Sequence, residues 1–282
     1  MDIYRKAKIR KNAAWIIAMI FAGFYTIAAA VPFIYMVLNS LKGQFEMLTS
    51  GVFALPEKVC FDNYKTVLQG GFMGYFARSV IVTAVSLGLL LFIAAFASYP
   101  LSRMNFKMRP VLYSLIIACM SIPMHVTLIP VFKMSTASGL YDTIWALPGP
   151  YAAFAMPMSV FILTNFMKTI PREIEEAAEI DGCGKYRNFF EIILPLAKSG
   201  LSTICIYNGV TFWNEYAFVK TLTQSSAAQT LPMAMNYFRG ENSMNIPLIL
   251  TVLTLAVLPM IILFCILQDK LVKGMTAGAV KG

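Results

Sequence analysis

The acidic residues are few, and their placement is uneven. Six of the fourteen, Glu173, Glu175, Glu176, Glu179, Asp181 and Glu191, fall within Met167–Gly200. One more, Glu215, interrupts an apolar stretch beside Trp213, Asn214 and Tyr216. An ionisable group inside an apolar stretch usually faces the interior of a helix bundle, where this cluster could line a path. An interfacial belt of Trp and Tyr explains the same cluster equally well. His125 is the only histidine, and no C-x-x-C pair accompanies it, so a metal site is not expected. No G-x-x-x-x-G-K-[ST] loop is present, so nucleoside triphosphate chemistry is not expected on this chain. No paired groups suited to acid–base or nucleophilic catalysis stand together, and the chain does not read as an enzyme.

The elements that carry these residues follow from composition. The 282 residues are 58% hydrophobic and 13% charged, with mean hydropathy +0.68. A soluble chain runs nearer 45–50% apolar and about 25% charged. Charge-free stretches long enough to cross a bilayer as helices predict six spans, at about Ala13–Met36, Val80–Tyr99, Val111–Phe132, Ile144–Phe166, Leu201–Val219 and Pro247–Leu267. The fold class is therefore an all-α membrane protein, a single transmembrane domain over residues 1–282. The first apolar run continues past Ala28-Ala29-Ala30 through Leu38, too long for a cleavable signal, and reads as an uncleaved span.

Lysine and arginine orient the spans. With the N-terminus inside, sixteen of the 23 basic residues fall on the cytoplasmic side, which predicts both termini inside. The net charge of +9 is then a record of topology, and nucleic-acid binding gains no support. The five cysteines, Cys60, Cys119, Cys183, Cys205 and Cys265, offer no disulfide framework. The eighteen methionines and 21 phenylalanines read as span filling.

The cytoplasmic connection Met167–Gly200 is the most informative segment. Pro171 suits a first helical turn, and the glutamates behind it complement the positive helix start. Ile174, Ala177 and Ala178 share one narrow face. Gly182 and Gly184 are placed to end the helix. A second helical stretch begins near Lys185, and Pro195 bends it into the fifth span. This pattern alone fits a solvated amphipathic connector as readily as a docking element.

The spacing within that segment carries more. Glu176-Ala177-Ala178, then Gly182, then Ile192 and Leu194-Pro195, resembles the EAA loop of ABC importer permeases at every defining position. Asn63-Tyr64, Pro157, Phe166, Ile170-Pro171, Trp213-Asn214-Glu215-Tyr216, Thr230-Leu231-Pro232 and the ending from Gln268 through Ala277-Gly278-Ala279-Val280-Lys281-Gly282 are similar to the carbohydrate (maltose-type) class of these permeases. Ala77-Arg78-Ser79 departs from it, since such chains often carry Asn before the Ser.

The resemblance implies a permease subunit of the bacterial-type cell membrane. Its partners would be a homologous second permease subunit, two ATPase subunits and an extracytoplasmic solute-binding protein that delivers a sugar. ATP and Mg would sit on the ATPase, with no cofactor on this chain. Glu176, Ala177, Ala178 and Gly182 would form the coupling helix, and Ile192, Leu194 and Pro195 would anchor it. Trp213, Asn214 and Glu215 become candidates for the substrate path, and Asn236, Tyr237, Phe238, Arg239 and Gly240 for contact with the binding protein. Other solutes (polyamine, phosphonate, glycerol phosphate) remain within the class. A secondary transporter would require inverted repeats, which are not seen.

Overall fold

The computed structural model describes the backbone of residues 2–238 and 245–279, with side chains over 15–236 and 245–266. It is all-helical across these residues. The long helices are α1 (Asp2–Ser40), α2 (Met73–Arg103), α3 (Arg109–Cys119), α4 (Leu128–Ala137), α5 (Pro148–Thr169), α6 (Glu173–Ile180), α7 (Lys198–Trp213), α8 (Ala217–Leu222), α9 (Leu231–Phe238) and α10 (Ile246–Ala279). Four helical stretches, Trp15–Ser40, Asp62–Arg103, Ile144–Thr169 and Ile246–Ile266, are long and apolar enough to cross a membrane, and two bent pairs raise the number to as many as six.

Two expected spans are not single straight helices. The stretch Val111–Phe132 divides into α3 and a second helical piece, Met124–Ala137, inclined at 88°. Pro123 supplies the reason. It has no N–H, its φ of −65° and ψ of 124° are extended, and the N–H groups of Met120, Ser121 and Ile122 turn back to Ile117, Ala118 and Cys119. Ahead of the fifth span the chain bends by 66° between Lys185–Leu196 and α7, just beyond Pro195, as expected, but the span itself is broken. At its other end α7 stops at Trp213, so the expected run to Val219 is interrupted by Asn214–Tyr216 before α8.

The chain forms two compact units. The first comprises residues 1–70 and 235–257. In it the stretch of α1 from Trp15 onward carries no charged residue, and most of its large apolar side chains from Trp15 to Val37 are exposed, as expected of a helix meeting lipid or another subunit. Its C-terminal carbonyls would be orphaned without partners. Asn63 Nδ2 donates to the Ser40 and Lys42 carbonyls at 2.8 and 2.9 Å, and Thr251 Oγ1 donates to Ser40 O at 3.3 Å. Lys42 is fully buried, with Nζ donating to Ser50 Oγ and the Gly51 carbonyl. The Asn63-Tyr64 pair thus closes the end of α1, and Tyr64 Oη lies 2.7 Å from Ser40 Oγ.

The second unit, residues 71–234 and 258–282, holds α2, α5 and α7 packed on one another. Leu90, Leu163, Met167, Ile193 and Ile204 are fully buried at their contact. Small polar residues let the backbones approach: Ser98 Oγ donates to Val160 O at 3.3 Å, and Asn208 Nδ2 to Ser159 Oγ at 3.2 Å. Gly200 marks the tightest point. A Cβ there would stand 2.9 Å from Phe166 Cγ and 3.2 Å from its Cβ, atoms too close to the backbone to swing aside.

Candidate functional site

The segment between α5 and α7 carries a short, largely exposed helix. Thr169 ends α5, and Ile170 turns extended (φ −72°, ψ 127°) ahead of Pro171, as the residue before proline must. Helix α6 starts after Arg172, whose carbonyl accepts from the N–H groups of Glu175 and Glu176. Glu173, Glu175 and Glu176 occupy its first turn, where carboxylates complement the helix dipole.

The end of α6 is a complete Schellman cap. The N–H of Cys183 donates to Ala178 O at 2.8 Å and that of Gly182 to Glu179 O at 3.0 Å. Gly182 lies at φ +81°, where a residue with Cβ is strained. Gly184 plays a different part from the one its spacing suggests. Its φ is −72°, and it leads the next helical stretch instead of closing α6.

Within α6, Glu173, Glu176, Ala177 and Ile180 are exposed, three and four residues apart, and so share one outward face. Ile180 is 87% exposed and Tyr186, in the next stretch, 83%. Glu175 and Ala178 are half-buried on the opposite side. The outward face therefore sets two carboxylates, Glu173 and Glu176, beside Ala177 and Ile180.

The anchor behind it is a helix of changing pitch. Lys185–Arg187 is α-helical, Asn188–Ile193 is a π-helical turn, and Leu194–Leu196 returns to α. Phe189, Ile193 and Ala197, four residues apart, are the buried anchors. Phe189 meets Tyr99 at 4.9 Å and Phe96 at 5.2 Å between ring centroids. Ile192 and Leu194 pack at the edge of the same core, while Pro195 is exposed. The sequence reading did not single out Phe189 or Ile193; their spacing at i and i+4 was the available signal.

Polar contacts tie α6 to the bundle. Arg103, the last residue of α2, has a side chain only 5% exposed, and its Nε lies 2.9 Å from Glu175 Oε1. The Nε–H points off that line, so the pair is a charge contact and not a directed hydrogen bond. Arg103 Nη2 donates to Ile170 O at 2.9 Å, and Asn188 Nδ2 to Glu175 Oε2 at 3.4 Å. Burial pushes the Glu175 carboxyl above its ordinary range, more strongly than Arg103 pulls it down.

A second place of interest is a cavity of about 340 Å³ lined by Met124, Tyr151, Tyr207, Asn208, Phe212 and Glu215 among others. Glu215 is buried. Its carboxylate accepts from Phe218 N at 3.0 and 3.1 Å, Val219 N at 3.3 Å and Tyr151 Oη at 3.2 Å, and so caps the start of α8. Trp213 is buried edge-on against Phe76, 5.6 Å between centroids. Asn214 is exposed and donates to Val210 O. Of the three path candidates, only Glu215 lines the cavity.

On the remaining loops, Arg78 donates to the carbonyls of Gln229 and Ser226, and Ser79 Oγ accepts from Leu231 N. The departure at Ala77-Arg78-Ser79 thus secures the segment that leads into α9. Asn236 is exposed near the end of α9. Tyr237 and Phe238 have described backbone only, and Arg239 and Gly240 lie outside the described residues. No group of His, Cys, Asp and Glu among the described residues could hold a metal ion.

Comparison with known proteins gives this arrangement its context. Residues 84–277 match the family model described as "Binding-protein-dependent transport system inner membrane component". A putative ABC transporter permease protein, ORF2, of Caldicellulosiruptor sp. (strain Rt8B.4) is 45% identical over 97% of this chain and 99% of its own length. The melibiose/raffinose/stachyose import permease protein MelC of Bacillus subtilis (strain 168) is 34% identical over 94% of this chain and 96% of its own. A chain of a bacterial ABC transporter that imports the acidic polysaccharide alginate shares the fold, with TM-score 0.79 at 21% identity over 90% of this chain and 95% of that one. Matched from α2 into α10 and along nearly the full length of its relatives, this chain belongs to the inner membrane component family of binding-protein-dependent transport systems.

Proposed function

We propose that the chain is one permease subunit of an ABC importer for an oligosaccharide, and that α6 is its coupling helix. The observation that carries this reading is the outward face of α6. Glu176 and Ala177 stand clear of the bundle on a helix whose start, end and back are all fixed. A short helix that presents carboxylates beside a small residue, Ala177, and the apolar Ile180 suits the cleft of a partner protein, and its anchor at Phe189 and Ile193 would pass movement into the spans. ATP and Mg²⁺ bind to separate ATPase subunits, and this chain carries no cofactor.

In the full reading residues 1–282 form one transmembrane domain with six spans and both termini in the cytoplasm. The two bent pairs each count as one crossing. A homologous second permease completes the pathway, and an extracytoplasmic solute-binding protein docks outside, with Asn236–Gly240 among its contacts. Binding of ATP draws the coupling helices together and opens the bundle outward, and hydrolysis returns it. The cavity at Glu215 lies on the solute path. Three of its lone-pair contacts converge on Oε2, leaving capacity on Oε1 for a hydroxyl. The sugar assignment rests on relatives whose names specify melibiose, raffinose and stachyose, diacetylchitobiose, and starch degradation products.

Uptake tests the assignment. Cells lacking this chain are expected to lose energy-dependent accumulation of one labelled oligosaccharide class and to regain it on complementation. Unaltered uptake of all oligosaccharides, with loss of a polyamine or phosphonate instead, would replace the sugar reading with another solute.

A further inference from the structure

The covalent link between α5 and the coupling helix is short and extended, Ile170-Pro171-Arg172. A helix pushed from outside would pivot about such a link unless something braced it. The bundle side of α6 is not closely packed along its length. A cleft of about 530 Å³, lined by Tyr99, Asn105, Glu179 and Lys185 among others, opens between the end of α2 and the helix.

Arg103 reaches across it from α2, while Asn188 holds Glu175 from the anchor side. Arg103 comes from a different element, 67 residues before Ile170 and 72 before Glu175. Its guanidinium meets the carbonyl just past the end of α5, where the helix dipole is negative, and the carboxylate in the first turn of α6. Three elements, α2, α5 and α6, therefore share one buried planar cation. Arginine suits this place because its fork of donors is rigid and always charged, whereas lysine offers a point charge on a flexible stem.

We propose that Arg103 is a positioning residue that locks the angle of the coupling helix to α2 and α5, so that displacement of the helix becomes displacement of both spans. The inference rests on the reading of α6 as the coupling helix. It assigns Arg103 and Glu175 to transmission, apart from the outward face of Glu176 and Ala177 that would meet the ATPase. A brace of this kind affects how much movement is passed on, and leaves the docking face intact.

The test uses the complete reconstituted complex with Arg103→Ala, Arg103→Lys, Glu175→Gln and the double variant Arg103→Ala/Glu175→Ala. Solute transported per ATP hydrolysed is measured beside co-purification of the ATPase subunit. Arg103→Ala is expected to lower the ratio by about tenfold, within the roughly 5- to 150-fold range typical of coupling between sites, with co-purification unchanged. Arg103→Lys should fall between wild type and Arg103→Ala, since it keeps the charge but not the fork. The double variant should be no worse than Arg103→Ala, because residues acting through one contact are non-additive.

If Arg103→Ala does not accumulate, Glu175→Gln, which keeps the shape and removes the charge, is expected to lower the ratio in the same direction. An unchanged ratio in whichever of these two variants assembles would overturn the proposal. Loss of co-purification would also overturn it, because the pair would then serve docking itself. A parallel Glu176→Lys complex separates the two levels. If it loses the ATPase while Arg103→Ala transports normally, the coupling helix stands and only the brace fails.

Discussion

Reversing the charge at Glu176 is expected to cost the importer its ATPase while leaving the permease folded. The side chain is exposed on α6, so Glu176→Lys changes protein stability by no more than about 0.5 kcal/mol, as surface substitutions usually do. At an interface the account is different. A lysine facing a basic or polar cleft that receives a carboxylate incurs like-charge repulsion of several kcal/mol, enough to weaken docking about a hundredfold or more. Co-purification of the ATPase subunit should fall accordingly, with transport, while the detergent-solubilised permease melts at the wild-type temperature. Normal co-purification with wild-type transport would remove Glu176 from the interface.

Gly182→Val is expected to fail by geometry instead of charge. Nothing lies within 4 Å of where its Cβ would sit, so sterics with neighbours play no part. The backbone at φ +81° is the whole obstacle, and a β-branched residue there is strained by about 1–3 kcal/mol. The strain is relieved by undoing the Schellman cap, which frays α6 and moves Ile180 and Ala177 from their places. Transport per ATP should drop by about tenfold, the conversion of roughly 1.4 kcal/mol. Gly182→Asn is the control, because asparagine tolerates the left-handed region and should retain most of the coupling. Equal activity of the valine and asparagine variants would show that the turn does not set the position of the helix.

The parts of the molecule that were legible in the sequence are those written in local chemistry. Pro171, the early glutamates and Gly182 define α6 because each acts on its own backbone, and the structure has the helix at Glu173–Ile180 with Gly182 at positive φ. Charge gaps located apolar stretches, but a gap records composition and carries no axis. The 88° break after α3 was therefore absorbed into one span, although Pro123 marked it. Glu215 read as a residue at membrane depth, and its capping of Phe218 and Val219 follows from a carboxylate two residues ahead of a short helix, a signal that was present and weak. The Arg103–Glu175 pair had no sequence signature, since 72 residues separate partners that only the packing of α2 against α5 brings together.

The central claim is that α6 meets an ATPase on the cytoplasmic side, and photo-cross-linking from its tip tests that most directly. Ile180 is 87% exposed, so a benzophenone amino acid placed there leaves the fold and the cap undisturbed. Irradiated membranes holding the assembled importer should give one dominant adduct, this chain joined to the ATP-binding subunit, its yield changing when ATP is added. The same residue cross-linked only to lipid or to the extracytoplasmic binding protein, with the ATPase present and active in the complex, would contradict both the docking role and the orientation.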